Sequence, residues 1–261
     1  MSEQLQHDLI TARFHYLASN LDDFIARATK SKLGPMEVIN EIVRLEVQDR
    51  KSRTTERRLA ASKVGRVKPM SEFDWLWPRE IDRPAVERAL ALEFVNDDAN
   101  VILIGPQGIA KTMIAKNIAH NAVMAGHTAL CVTAAQLTND LNQQESMRSL
   151  ENRLRHYIRP DVLVVDEVGY LSFDSRSADL LFQIISRRYE VGPIVMTTNL
   201  AFKDWPTIFP GSACVAAMID RLTHHAEIIS IEGDSYRRRE SMARKETANV
   251  AKKPAAKGVK K

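Results

Sequence analysis

Three short strings in this chain carry side chains able to act together. The first is Gly105-Pro-Gln-Gly-Ile-Ala-Lys-Thr112, entered from Val101-Ile-Leu-Ile104 and left through the alanine-rich stretch from Met113 to Ala125. Strand, glycine turn and helix is the setting of a phosphate-binding loop. Gly105 and Gly108 free the backbone to curl, and successive N–H groups of such a turn face inward around an anion. Gly105, Pro106, Gln107, Gly108, Ile109, Ala110, Lys111, Thr112 and Met113 are therefore the expected nucleotide contacts. Lys111 is placed to reach the β- and γ-phosphates of ATP, and the Thr112 hydroxyl to bind Mg²⁺. The usual pattern has glycine where this chain has Ala110. The extra methyl is tolerated at negative φ and costs on the order of 1–2 kcal/mol at positive φ.

The second string is Asp166-Glu167, directly after the apolar run Val162-Leu-Val-Val165. A carboxylate at the C-terminal end of a buried strand sits where open α/β sheets bind ligands. Asp166 is expected to hold Mg²⁺ opposite Thr112. Glu167 is expected to orient and polarise the water that attacks the γ-phosphate, which favours hydrolysis over transfer to a bound hydroxyl. The third string is Thr197-Thr-Asn199, again closing an apolar run. An amide there suits the γ-phosphate or the attacking water. Arg221 is the candidate arginine finger, acting in trans at a subunit boundary, with Arg187 and Arg188 competing for the role or making structural ion pairs. His224-His225 lies beside Arg221. Adjacent histidines on any regular element point apart, so a shared metal is not expected there.

The elements that must position these groups alternate. Helical periodicity runs over 84–95, 113–125, 136–157, 178–190 and 213–222. Strand-like runs cover 101–104, 128–133, 162–165, 193–196 and 227–231. This order implies an open, mostly parallel sheet of five strands covered by helices. Ahead of it, residues 5–29 and 36–61 carry helix-spaced apolar residues interrupted at Gly34-Pro35. The domains expected are a helical one over 1–66, a nucleotide-binding core over 67–240 and a basic tail over 241–261. Phe73-Asp-Trp-Leu-Trp-Pro78 precedes the core, and Trp75 and Trp77 either help form an adenine pocket or pack the core edge.

At 261 residues, with 44% hydrophobic content, the chain is long enough for one large domain plus an appendage. The net charge of +4 is modest, but its placement is uneven. Arg50, Lys51, Arg53, Arg57 and Arg58 fall within one short segment, and Arg237-Arg-Arg239, Lys252-Lys253 and Lys260-Lys261 mark the other end. Basic clusters flanking a nucleotide-binding core point to a polyanionic partner. With two cysteines, no zinc site can be built from thiolates alone, and a reduced, cytoplasmic setting is expected. No segment approaches a membrane span.

Longer strings narrow the reading. Asn100–Thr112, Val164-Val-Asp-Glu-Val-Gly-Tyr-Leu171, Leu181-Phe-Gln-Ile-Ile-Ser-Arg-Arg-Tyr-Glu190, Thr197-Thr-Asn199, Ala217-Met-Ile-Asp-Arg-Leu222 and Gly233-Asp-Ser-Tyr-Arg237 stand in a fixed order. In them the chain resembles the IstB-type transposition helper ATPases of insertion sequences, relatives of DnaC-type helicase loaders within the AAA+ superfamily. The resemblance implies an AAA+ P-loop fold with the Asn199 strand between the Val101 and Val162 strands and no C-terminal helical lid. It implies that Lys111, Thr112, Asp166, Glu167 and Asn199 bind and hydrolyse ATP–Mg²⁺. It also implies homo-oligomers with ATP at subunit interfaces on double-stranded DNA, and a DDE-type transposase partner. The alternative within the same superfamily is a replicative helicase loader.

Overall fold

A computed structural model describes residues 3–170, 172–210 and 213–236. It divides after Arg58 into two compact units. The basic tail over 241–261 and the question of a lid lie outside the described residues.

The first unit is helical: α1 (Glu3–Thr11), α2 (His15–Lys30) and α3 (Pro35–Ala61), the last running on past the division. The periodic stretch over 5–29 resolves into two helices because Arg13 turns the chain with φ of 64°. Its core is small. Leu17, Ala18 and Phe24 are buried. Phe14, at the start of α2, offers no capping side chain. The buried Glu46 of α3 supplies the missing acceptor, taking the Leu17 N–H at 2.7 Å. That satisfies one of the first-turn donors every helix leaves open and places negative charge at the positive end of α2.

The second unit is a three-layer α/β sandwich. Its elements in chain order are β1 (Glu80–Ile81), α4 (Arg83–Leu90), α5 (Glu93–Asn96), β2 (Asn100–Ile104), α6 (Lys111–Met124) and β3 (Ala129–Thr133). Then follow α7 (Ala134–Asn142), α8 (Met147–Ile158), β4 (Val162–Val168), α9 (Ser175–Arg188), β5 (Ile194–Thr198), α10 (Val215–Thr223) and β6 (Ala226–Glu232). The long polar stretch over 136–157 is a helix pair, each helix opened by its own capping box at Thr133 and Ser146.

The sheet order is β1-β6-β2-β5-β4-β3. The strand ending at Asn199 is inserted between β2 and β4, in parallel pairing with both. The expected five strands are corrected to six. The extra one is β1, whose two residues pair antiparallel with Glu232 and Ile231; a strand that short carries no alternation to read. Side chains alternate across the sheet. Ile102, Leu163, Val165 and Met196 face the layer of α7–α10. Val101, Leu103, Val164 and Val195 face the layer of α4 and α6. Burial on both faces is why these strands read as unbroken apolar runs.

Buried polar groups lock the layers together. Asn100 at the start of β2 donates to Leu222 O at 3.0 Å and accepts from Ile194 N at 2.9 Å, joining α10 and β5. Arg188, 2% exposed, donates to the carbonyls of Tyr157, Ile158, Pro160, Asp161 and Pro193 at 2.7–3.3 Å. Burial pushes its guanidinium down to about 10, so it remains charged at neutral pH. No helix among the described residues is long and apolar enough to cross a membrane.

Candidate functional site

The loop between β2 and α6 is bent by close approaches. A Cβ on Gly105 would lie 2.3 Å from the Ile231 carbonyl oxygen, and one on Gly108, at φ +77°, would lie 2.2 Å from Ser235 Oγ. Ala110 adopts φ 76°, ψ 15° at the start of α6. The methyl therefore sits in the left-handed region, at a cost of roughly 1–2 kcal/mol. Strain of this kind persists where the surroundings over-determine the backbone.

Lys111 is 4% exposed. Its ammonium donates to Gly105 O at 2.5 Å and Pro106 O at 2.8 Å, so the charge is held within the loop. Thr112 Oγ1 donates to Asp166 Oδ1 at 3.1 Å. The same carboxylate oxygen accepts from Thr197 Oγ1 at 2.5 Å. Thr197 Oγ1 in turn accepts from Glu167 N at 3.0 Å. One buried hydroxyl on β5 thus fixes both acids at the tip of β4. Hydroxyl and carboxylate oxygens are the donor set that a hard cation such as Mg²⁺ takes.

Glu167 has φ 64°, and the β4–β5 register breaks between Val165 and Val168. This is a bulge, a device that re-aims a side chain near active sites. Across the bulge, Asn199 Oδ1 is buried with no hydrogen-bond partner. A Cβ on Gly169, at φ +102°, would lie 2.7 Å from that oxygen, so glycine is what allows the amide its place. A buried acceptor without a donor is costly and fits a group that completes its bonding on a ligand or an ordered water.

Beside the loop lies a cavity of about 300 Å³ lined by the loop's own Gly108–Met113 together with Lys68, Trp77, Lys116, Tyr170 and Tyr236, among others. Of the two expected tryptophans, Trp77 lines it. Its Nε1 donates to Asp234 O at 2.9 Å, and its ring meets Tyr236 edge-on at 6.0 Å. Tyr236 is tied to the loop by its N–H to Gly108 O at 3.0 Å. Trp75 packs the core edge instead, edge-on to Phe73 at 4.7 Å with Arg83 stacked at 4.7 Å.

The arginines separate cleanly. Arg188 is enclosed by carbonyls, as above, so it cannot act on a neighbouring subunit. Arg187 pairs with Glu151 at 2.8 Å. Arg221, half-buried on α10, stacks on Phe182 at 4.7 Å and donates to Ser186 Oγ of α9. In the helical unit, Arg50, Lys51 and Arg57 are exposed, while Arg53 and Arg58 are half-buried. Arg53 pairs with Asp49 at 2.8 Å. All five lie on α3.

Thr197 and Tyr236 carry no individual mark of a site role in the sequence. Both lie in the longer strings, Thr197-Thr-Asn199 and Gly233–Arg237, and that placement was the only signal they gave. Lys68 counts in sequence only as the last cation of the basic segment over 44–68, and Lys116 carries no signal.

Comparison with known proteins places this geometry. The family described as IstB-like ATP binding protein matches residues 8–244. The protein named as the ATP-binding protein of insertion sequence IS5376 from Geobacillus stearothermophilus is 34% identical, over 84% of this chain and 87% of that one. Its counterpart in insertion sequence IS21 of Pseudomonas aeruginosa is 33% identical, over 91% and 89%. Among solved structures, that of DnaI aligns with a TM-score of 0.53 at 21% identity, covering 66% of this chain and 92% of that one, a likeness of fold. The six-stranded, mostly parallel sheet, the strained loop and the acid pair at the β4 tip are thus those of a chain that belongs to the IstB-like ATP-binding protein family, with a fold like that of DnaI.

Proposed function

We propose that this protein is an ATPase that couples its nucleotide state to assembly on duplex DNA, where it recruits and activates a DDE-type transposase. The observation that carries the reading is the convergence of Lys111, Thr112, Asp166, Thr197, Glu167 and Asn199 at three adjacent strand ends, with Lys111 and Thr112 also lining the cavity. The names of the relatives, which pair ATP binding with insertion sequences, support it.

In this reading Lys111 and the loop N–H groups bind the phosphates. Trp77 and Tyr236 flank the base. Thr112 and Asp166 would hold Mg²⁺, which would supply positive charge against the phosphates. Glu167, aimed by the bulge, accepts a proton from the attacking water, and the Asn199 amide orients that water. Arg221, supplied to a neighbouring subunit's site, stabilises the charge that builds on the γ-oxygens. ATP then favours the assembled state and hydrolysis releases it, a shift that requires different affinities in the two states. The α3 cations contact phosphates and add little sequence preference.

Glu167→Gln is expected to cut hydrolysis by roughly 10²–10⁴-fold while ATP affinity stays unchanged, read by phosphate release and by calorimetry. Unchanged turnover would remove the role assigned to Glu167. Duplex affinity should fall with salt at a log–log slope of about 0.9 per phosphate neutralised. A flat response would remove the DNA claim, and a preference for single strands would move the reading to a helicase loader.

A further inference from the structure

Among the described residues, one group of side chains outside the site has metal-ligating geometry. A ring nitrogen of His224, a ring nitrogen of His225 and a carboxylate oxygen of Glu190 all lie within 4.8 Å of one another. We infer that these three residues form a binding site for one transition-metal ion of the zinc class, which clips the C-terminal end of α9 to that of α10. The inference does not depend on the proposed function.

Adjacent histidines point apart on a regular element, but this pair does not sit on one. α10 ends at Thr223, His224 is its C-cap, and β6 begins at Ala226. At that junction the two rings meet with centroids 4.1 Å apart. Glu190 lies just past α9 with φ 56°, a left-handed position that for a non-glycine residue marks an unusual local constraint. Its Oε1 is 3.8 Å from His225 Nε2. Ligand atoms around tetrahedral zinc are roughly 3.3 Å apart, from metal–ligand bonds of about 2.0–2.1 Å. Since all three residues are exposed, small side-chain rotations close that difference.

The backbone of the pair is anchored. His224 N donates to Asp220 O at 3.0 Å, and His225 O accepts from Asn100 N at 2.7 Å. Tyr189 Oη lies 2.9 Å from His224 Nδ1. In the tautomer whose Nδ1–H donates to Tyr189 Oη, Nε2 is left as the ligand nitrogen, as in ligating histidines that donate their other ring N–H. Two imidazoles and one carboxylate, with water in the fourth place, suit Zn²⁺, Co²⁺ or Ni²⁺ and not Mg²⁺, which prefers oxygen ligands. The consequence is local and mechanical. Ser186 on α9 accepts from Arg221 on α10, and an ion bridging the ends of both helices stiffens the pair that positions Arg221.

The test titrates the untagged full-length chain with Zn²⁺ against a chromophoric chelator in excess Mg²⁺. One Zn²⁺ per chain is expected, with a rise in the unfolding midpoint on binding. Glu190→Gln and His225→Ala should each weaken uptake by roughly tenfold or more, and Tyr189→Phe by roughly tenfold, while Asp166→Asn leaves it unchanged. Absence of saturable uptake, or uptake indifferent to Glu190 and His225, would overturn the site. Should either variant fail to fold, Co²⁺ added to the wild-type chain must selectively broaden the imidazole NMR signals of His224 and His225; broadening centred on other histidines would equally overturn it.

Discussion

The two units solve folding with unequal means. The core buries whole strands on both faces and seals its polar joints, with Arg188 taken up by carbonyls and Asn100 bonded at both ends of its amide. The helical unit buries three apolar side chains on α2 and leaves Leu5, Ile10, Ile25, Met36, Ile39, Val43 and Val47 exposed. A unit of that size buries too small a share of its surface to be robust. Stability is thus concentrated where chemistry needs fixed geometry. The unit bearing the α3 cations is also the one that leaves those apolar side chains exposed.

The largest test of this contrast is Arg188→Met. It keeps much of the volume but strands the carbonyls the guanidinium served, at a cost on the order of 3 kcal/mol. The core's unfolding midpoint should drop by roughly 6–12 °C. A change of only a degree would mean the carbonyl cage contributes little. Phe24→Ala should cost the helical unit about 3 kcal/mol, enough to melt it. Because Phe24 belongs to neither apolar cluster of the core, ATP affinity should be unaffected. Loss of helix signal accompanied by lost ATP binding would break the contrast.

How much of this was legible in sequence follows the same division. The phosphate loop and the β4 acids can be read because each is local: a glycine spacing, and a buried run that ends in carboxylates. The place of the Asn199 strand is not local, and only the resemblance of the longer strings implies it. What escaped was long-range. Thr197 matters only through Asp166 and Glu167, some thirty positions away (31 for Asp166). In sequence Arg188 rivals Arg221, and only the fold gathers the carbonyls of Tyr157, Ile158, Pro160, Asp161 and Pro193 around it. The close approach of the His224 and His225 rings, centroids 4.1 Å apart, is likewise illegible because the pair straddles a helix end, where the rule for regular elements does not apply. Even at Ala110 the sign of φ is a property of the folded backbone that the sequence leaves open.

Two smaller effects sharpen the account. Ala110→Gly should relieve the left-handed strain and stabilise the nucleotide-free core by about 1 kcal/mol, seen as a higher melting midpoint. No gain would mean the loop relaxes around the methyl. The smallest concerns Asp140 on α7. Burial raises its carboxyl, but hydrogen bonds from Tyr157 at 2.5 Å and from Arg153 outweigh that and hold it below its ordinary value. A depressed carboxyl contributes stability above its unfolded pKa, about 3.9, and that contribution is lost as pH falls through the folded value. Asp140→Asn should flatten the acid limb of the melting profile in that range; an unaltered limb would contradict the assignment.

The central claim is that ATP with Mg²⁺ sits between the Lys111 turn and the Asp166–Glu167 strand tip. Calorimetric titration of Mg²⁺–ATP into wild-type and Lys111→Ala protein, both verified as folded, tests it most directly. The account predicts one nucleotide per wild-type chain and a loss of binding in the variant. Equal uptake by the two proteins, or none by the wild type, would contradict it.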